Sequence, residues 1–337
     1  MSTNTPNPAN QLDLDYREQA RRFRWSGPIF DAHSHINTVE AAELYVEVAE
    51  LYGVKKTWTM SQLEQVDPLR ERFGDRFEFI AVPNYAAKDE PGTFTTDWRR
   101  RIERFAEKGV KVCKLWAAPR GLDLDPEAMK LDTPERREQM RLARSLGMMF
   151  MTHVADPDTW FATHYADASR YGRKQDHYEP LKRVLDDFGD VPWIAAHMAG
   201  SPENLPLLQQ LLDTYENLYF DTSATKWMVR ELSKHADAFA DFARRNRGRL
   251  LFGSDIVASA DNRDFDLYAS RYWALRTLME TDYVGRSPIV DPDLSLVDPS
   301  LPAESTAKLR GANLDDATLR SLYHDAADAV LNGWARR

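Results

Sequence analysis

Two histidines one residue apart, His33 and His35 in Ile29-Phe30-Asp31-Ala32-His33-Ser34-His35-Ile36, directly follow a short apolar run that reads as a buried strand. Side chains two apart on a strand face the same way, so the pair can offer two imidazoles to one metal ion. Alone, His-x-His is common. Three more groups of the right kind close later apolar runs. His153 ends Met149-Phe150-Met151-Thr152-His153, His197 ends Trp193-Ile194-Ala195-Ala196-His197, and Asp255 follows Leu250-Leu251-Phe252-Gly253-Ser254. Taken singly, a His at a strand end is more often a hydrogen-bonded rim residue, and an Asp after Gly-Ser a turn or cap residue. Five such groups in the order H-x-H, H, H, D outweigh that reading, because the chain has only eight histidines and four sit at these ends. Imidazole and carboxylate donors suit Zn2+, and also Mn2+ or Fe2+.

The elements that must position these groups follow from the apolar pattern. Strands are expected over 28–33, 55–60, 77–82, 110–116, 148–153, 193–197, 218–221 and 250–254. Helical patterns fill 39–51, 62–73, 96–108, 133–146, 178–188, 202–215, 226–245 and 265–281 between them. Gly53, Gly109 and Gly147 each follow a helix just before a strand, where a left-handed cap is wanted, and Thr133 before Pro134 reads as a helix start. Eight strands alternating with eight helices imply an α/β fold, a parallel sheet closed as a (β/α)8 barrel. An open doubly wound sheet is the rival, weakened by the lack of a Gly-rich nucleotide loop. In a parallel barrel all strand C-termini open on one rim, where the five groups would meet.

Around this frame, residues 1–12 read as a disordered tail rich in Asn, Thr and Pro, and 13–337 as a single domain whose first helix covers 13–25. Insertions follow strand four (117–131) and strand five (154–177), on the face that builds barrel active sites. A Pro-, Asp- and Ser-rich segment, 283–313, leads to a C-terminal helical extension over 315–331. With 337 residues, 43% of them hydrophobic and 29% charged, the chain reads as an ordinary globular protein. Its net charge of −9 disfavours a nucleic-acid or anionic-membrane partner. The one cysteine, Cys113, excludes an internal disulfide and a Cys-built zinc site. No long apolar run and no signal-peptide core are present, and the expected location is the cytoplasm.

The ordered set FDAHSH, FMTHVADP, IAAHMAG, LYFDTS and LLFGSD, with a late Tyr323–Leu331 segment YHDAADAVL, resembles the amidohydrolase superfamily, specifically its amidohydrolase-related branch. The resemblance spans about residues 29–330 and implies a TIM-barrel fold. That branch contains metal-dependent hydrolases and nonoxidative decarboxylases. Carried over, the resemblance implies that His33, His35 and His153 bind one divalent metal, most simply Zn2+. Asp255 would be a further ligand that also moves a proton, and His197 would act beside the metal as acid/base or polarising group. A metal held this way keeps a water whose pKa falls toward ~7, and an imidazole with a pKa near ~6.5 shuttles protons well. Some superfamily members carboxylate a fourth-strand Lys to bridge a second metal. Lys114 stands near that strand end, but it is read here as pairing with an acid or with a substrate carboxylate. Members of the branch are often dimers, so a homodimer is the expected assembly.

Trp116 and Arg120 after the fourth strand offer an aromatic wall and a carboxylate clamp, and with Lys114 form the expected substrate-binding set. Thr222–Trp227, after the seventh strand, offers hydroxyls, Lys226 and another indole; both loops also read as plain exposed rim. His164 and His177, in the insertion after strand five, would cover the site. The expected activity is metal-dependent hydrolysis of a lactone, amide or ester-like bond in a small organic acid. Decarboxylation of an unsaturated or aromatic acid by the same residues is the alternative, and a barrel that keeps the metal without turnover the third reading.

Overall fold

The computed structural model describes residues 7–335. Its core is a ring of parallel strands: β1 Ile29–Ile36, β2 Val54–Thr59, β3 Phe77–Ala81, β4 Val112–Trp116, β5 Met149–His153, β6 Trp193–Ala195, β7 Leu218–Asp221, β8 Leu250–Leu251 and β9 Ile256–Ala258. Each pairs with its neighbours in the order β8-β7-β6-β5-β4-β3-β2-β1-β9. The strands are apolar on both faces because helices cover them outside and side chains fill them inside. Trp58 and Trp193 on β2 and β6 are fully buried.

The eighth expected strand, 250–254, is divided, and the division closes the barrel. Leu250 and Leu251 pair with β7, whereas Ile256–Ala258 pairs with β1. Between them the Ala32 amide donates to the Phe252 carbonyl at 2.8 Å and the Asp255 amide to the His33 carbonyl at 2.8 Å. The chain thus crosses from one end of the sheet to the other while turning at Ser254-Asp255, so a regular strand over 250–254 is not formed. The sixth strand likewise stops at Ala195, not at 197. Residues 197–199 have φ of 57°, 50° and 52°, a left-handed turn that no strand accommodates.

The outer helices match the pattern that gave them. Thr96–Glu107 buries Trp98, Ile102 and Phe105 along one stripe. Thr133 caps Pro134–Ser145 by accepting from the Arg136 amide. Gly53, Gly109 and Gly147 all take positive φ. Three expectations differ. The first helix covers only Tyr16–Ala20. The helix expected over 226–245 is two, Thr225–Leu232 and Ala236–Arg245, joined by a 3-10 turn at Ser233–His235. The closing helix contains a π-helical turn at Ser321–Asp325.

The Pro-rich segment folds an antiparallel pair outside the ring, β10 Val284–Val290 with β11 Thr306–Arg310. This hairpin holds the start of the chain: Val290 donates to the Pro8 carbonyl and Gln11 to the Pro288 carbonyl, both at 2.8 Å. Of the tail expected over 1–12, residues 1–6 lie outside the described residues, and residues 8–11 are tied down in this way. No described helix is long and apolar enough to cross a membrane.

Candidate active site

His33, His35 and Asp255 meet at the C-terminal mouth of the ring. Asp255 Oδ1 lies 3.2 Å from His35 Nε2 and 3.5 Å from His33 Nε2. Asp255 reaches this point because the turn that closes the barrel holds it at φ 58°. The turn is fixed by buried Asp31, whose carboxylate accepts from the Ser254 amide (2.9 Å), the Ser254 hydroxyl (2.6 Å) and the Tyr272 hydroxyl (2.8 Å).

Asp221, at the end of β7, sets two of the rings. Its Oδ2 takes His33 Nδ1 at 2.8 Å, which puts the proton on Nδ1 and leaves the Nε2 lone pair facing Asp255. Its Oδ1 accepts from the His197 amide at 2.8 Å and from the Ser223 hydroxyl. Ser223 has one hydroxyl proton. With that proton on Asp221, the 2.7 Å contact between Ser223 Oγ and His197 Nδ1 requires the imidazole to donate. His197 therefore also presents an Nε2 lone pair, its ring 4.7 Å from that of His33.

His153 stands beyond His197, ring centroids 4.4 Å apart. It belongs to neither compact donor group, His33–His35–Asp255 or His33–His197–Asp221. Trp116 Nε1, which only donates, lies 3.3 Å from His153 Nδ1. Nδ1 is thus the acceptor, and Nε2 gives its proton to Asp156 at 2.6 Å. The His153 lone pair points at an indole N–H through a long contact. Asp156 does for His153 what Asp221 does for His33.

Electrostatics follow burial. Desolvation, reinforced by the neighbouring His153, pushes His197 well below the usual imidazole range, and desolvation also lowers His33. Burial would raise Asp255 and Asp221, but hydrogen bonds and charge from the histidines overcome it and hold both carboxylates below their ordinary range. Burial draws Lys114 on β4 down to about 8, against the opposing pull of Asp221 and Asp255. The cavity above these groups measures about 650 Å³, and its walls include Lys114, Trp116, Trp160, Lys226, Trp227 and Arg271.

A family model described as Amidohydrolase matches residues 70–333. The chain belongs to the amidohydrolase family. Among solved structures, this amidohydrolase resembles an uncharacterised TIM-barrel protein from Bordetella bronchiseptica, with a TM-score of 0.52 at 12% identity over 92% of this chain and 100% of that one. A 5-carboxyvanillate decarboxylase from Novosphingobium aromaticivorans, complexed with manganese, matches with a TM-score of 0.46 at 12% identity over 73% and 90% of the two chains. A dihydroorotase from Campylobacter jejuni gives 0.49 at 11% identity over 90% and 83%. Likeness at such identity is a likeness of fold. No curated protein matches the chain.

The donor chemistry of the amidohydrolase fits a divalent ion. Two imidazole nitrogens and a carboxylate oxygen lie within 4.8 Å of one another, and the Asp221 bond to His33 Nδ1 leaves the His33 Nε2 lone pair free. Lys114 and Trp116 line the cavity as the sequence led one to expect, but Lys114 has no carboxylate at ion-pair distance. Arg120 departs from expectation. It sits exposed on the 3-10 turn Pro119–Asp123, outside the cavity wall, because that turn carries it away from the mouth. The His164 ring lies tilted against the cavity-wall residue Trp160, centroids 4.4 Å apart, while His177 Nε2 bonds the Tyr171 carbonyl; neither histidine lines the cavity. Three residues were missed as functional. Asp221 closes an apolar run just as His153 does, so the same signal marks it. Asp156 follows His153 by three residues with no pattern to flag it, and Arg271 lies inside a buried helix with no local signature.

Proposed function

We propose that this amidohydrolase is a metal-dependent hydrolase of a small organic acid bearing an ester-like, lactone or amide bond. The observation that carries the reading is that Asp255, in the donor cluster, and His197, beside it, are both proton acceptors. One is a carboxylate held ionised, the other a neutral imidazole with its Nε2 lone pair free. Acceptors suit the removal of a proton from water; protonating a carbanion needs an acid.

In this reading His33 and His35 through Nε2, Asp255 through Oδ1 and His153 through Nδ1 hold one divalent ion, Zn2+ or Mn2+. His153 joins by exchanging its long Trp116 contact. The ion supplies polarisation of the scissile carbonyl and a lowered pKa for water. Asp255 takes the water proton and hands it to the free Nε2 of His197, which delivers it to the leaving group, with Ser223 and Asp221 stabilising the transient imidazolium. Trp116, Trp160 and Trp227 enclose the substrate body and exclude bulk water, and Lys114 orients an acidic group next to the reacting carbon.

Decarboxylation has one observation in its favour. Lys114, buried beside the cluster with a pKa near 8, is an acid able to protonate carbon. Metal analysis of the purified protein, followed by a panel of lactones, amides and aromatic acids, separates the readings. Ring opening or bond hydrolysis without CO2 supports the proposal, CO2 release overturns it in favour of the second reading, and a protein that refuses Zn2+ and Mn2+ sinks both.

A further inference from the structure

Buried cations elsewhere in the molecule are held by acceptors, most of them carboxylates; Arg136 is the exception in kind, bonding the Trp116 carbonyl at 2.8 Å and Gln139 Oε1 at 3.3 Å. Arg230 meets Glu231 at 2.8 Å, Asp291 at 2.5 Å and Asp293 at 3.1 Å. Arg276 meets Glu280 at 2.5 Å, and Arg101 meets Glu64 at 2.9 Å. The cavity breaks this habit. Among the described residues Lys114 and Lys226 make no side-chain hydrogen bond or ion pair, and Arg271 bonds only the Ser270 hydroxyl at 3.0 Å. Burial lowers all three, Arg271 to about 10, and Arg271 further depresses Lys226 by repulsion. A desolvated cation without a paired counter-charge is unfavourable. The carboxylates that attract these three, Asp221 and Asp255 for Lys114, Asp291 and Asp293 for Lys226, and Asp255 and Asp264 for Arg271, make no ion pair with them, so the cavity suits an occupant that brings a closer charge. Asp293 also lines this cavity, but Arg230 and the Trp160 indole already hold it.

The three cations divide between two sides of the mouth. Lys114 stands in the middle of β4, facing the cavity next to the donor cluster. Lys226 follows β7 and Arg271 lies on the helix Phe265–Glu280 that follows the barrel-closing strand. Two strands, β5 and β6, separate β4 from β7 on one side of the ring, and three, β3, β2 and β1, separate β4 from β9 on the other, which sets Lys114 across the mouth from Lys226 and Arg271. Indole rings of Trp116, Trp160 and Trp227 are also in the wall, an apolar lining for a flat carbon skeleton.

We infer that the substrate is a dicarboxylate: one carboxylate lies beside Lys114 next to the reacting centre, and the second is clamped by the Arg271 guanidinium with Lys226. The inference rests on the cavity being the hydrolase site of the proposed function and names its substrate class. The planar guanidinium offers two parallel N–H donors to a carboxylate, and Lys226 adds a point charge.

Titration calorimetry on the full chain, with benzoate, benzene-1,3-dicarboxylate and benzene-1,4-dicarboxylate as unreactive probes, tests it. At least one dicarboxylate is expected to bind about 10-fold or more tighter than benzoate, the scale of one charged hydrogen-bonded contact. Arg271→Met should cut dicarboxylate affinity to the benzoate level and leave benzoate within about 2-fold. Lys226→Met should remove part of the preference, and Arg271→Lys should keep part of it; these two arms decide the matter if Arg271→Met fails to fold. Equal binding of benzoate and both dicarboxylates by the wild type, or a folded Arg271→Met that keeps the preference, overturns the inference. Because no turnover is read, the outcomes separate. A chain that prefers dicarboxylates but hydrolyses nothing fails the proposed function alone. One that hydrolyses a mono-acid lactone without any dicarboxylate preference fails this inference alone.

Discussion

Two carboxylates that touch no donor cluster oxygen fix which nitrogen of each histidine faces the site. Asp221 holds His33 Nδ1 and, through Ser223, His197; Asp156 holds His153 Nε2. Such partners raise ligand basicity and orientation, and their loss typically weakens metal affinity about 10–100-fold. Asp156→Asn is expected to show a loss of that size in a chelator competition for Zn2+. Trp116→Phe should bind Zn2+ as tightly or up to about 10-fold tighter, since the mutation removes the one N–H that occupies the His153 lone pair, a contact worth about 1 kcal/mol. Weaker binding by Trp116→Phe would show that His153 does not join the ion through Nδ1. Lys114 gives a pH signature in metal-free protein. Its pKa is about 8 folded against 10.5 as the ordinary value. Between those values the unfolded chain binds more protons, so stability rises with pH across the window, and below pH 8 the penalty is fully present. Lys114→Met should therefore be more stable than wild type at pH 7, by up to about 3 kcal/mol, and should lack the rise. Urea melts at pH 7 and 9.5 read both.

At the scale of elements, the left-handed turn after β6 is where local backbone preference yields to the site. His197, Met198 and Ala199 all take φ near +50°, which costs non-glycine residues about 1–2 kcal/mol each. The turn ends at Gly200, where an added Cβ would stand 1.9 Å from the Ala155 carbonyl oxygen, in the segment that carries Asp156. Gly200→Ala should thus lose at least about 3 kcal/mol of stability. Ala199→Gly should gain up to about 1 kcal/mol, and thermal unfolding followed by circular dichroism distinguishes the pair. This turn also shows why parts of the chain were readable and others not. Apolar runs closed by His or Asp announced the strands and the rim, because burial on both faces forces that composition. His197 was placed on a strand because Ala195-Ala196-His197 continues the apolar run, and only its contacts with Asp221 and Ser223 override it. The 250–254 strand was misread for a related reason: its apolar pattern is continuous, but its hydrogen bonds pass from β7 to β1 partway. The hairpin of β10 and β11 escaped notice because its residues are Pro- and Asp-rich and pair across a long connection. Arg271 was invisible since its meaning lies in the lack of an ion-pair partner among the described residues, which no local pattern records.

For the whole molecule, the ion is expected to act as a clamp on the fold. It would join β1, β5 and the barrel-closing turn, which the unfolded chain does not bring together. Zn2+ or Mn2+ at about 100 times its dissociation constant should stabilise the protein by about 3 kcal/mol, read as a raised melting temperature that EDTA reverses. His35→Ala should melt alike with and without metal, and a wild type indifferent to both metals would contradict the assigned ligands.

The turn that supplies Asp255 is also the seam of the barrel, where Ser254 bonds Asp31 across 223 residues of chain. The first strand is made early and cannot complete either its sheet or its donor set until the ribosome has delivered residues as far as Ala258. A nascent chain stalled before Ser254 would carry His33, His35 and His153 without Asp255, and an open sheet edge on β1. Long-range closure of this kind is slow, so capture of the metal and completion of the ring should be one late event. Synthesis of this protein thus has an interval in which an exposed sheet edge stands beside an incomplete donor set.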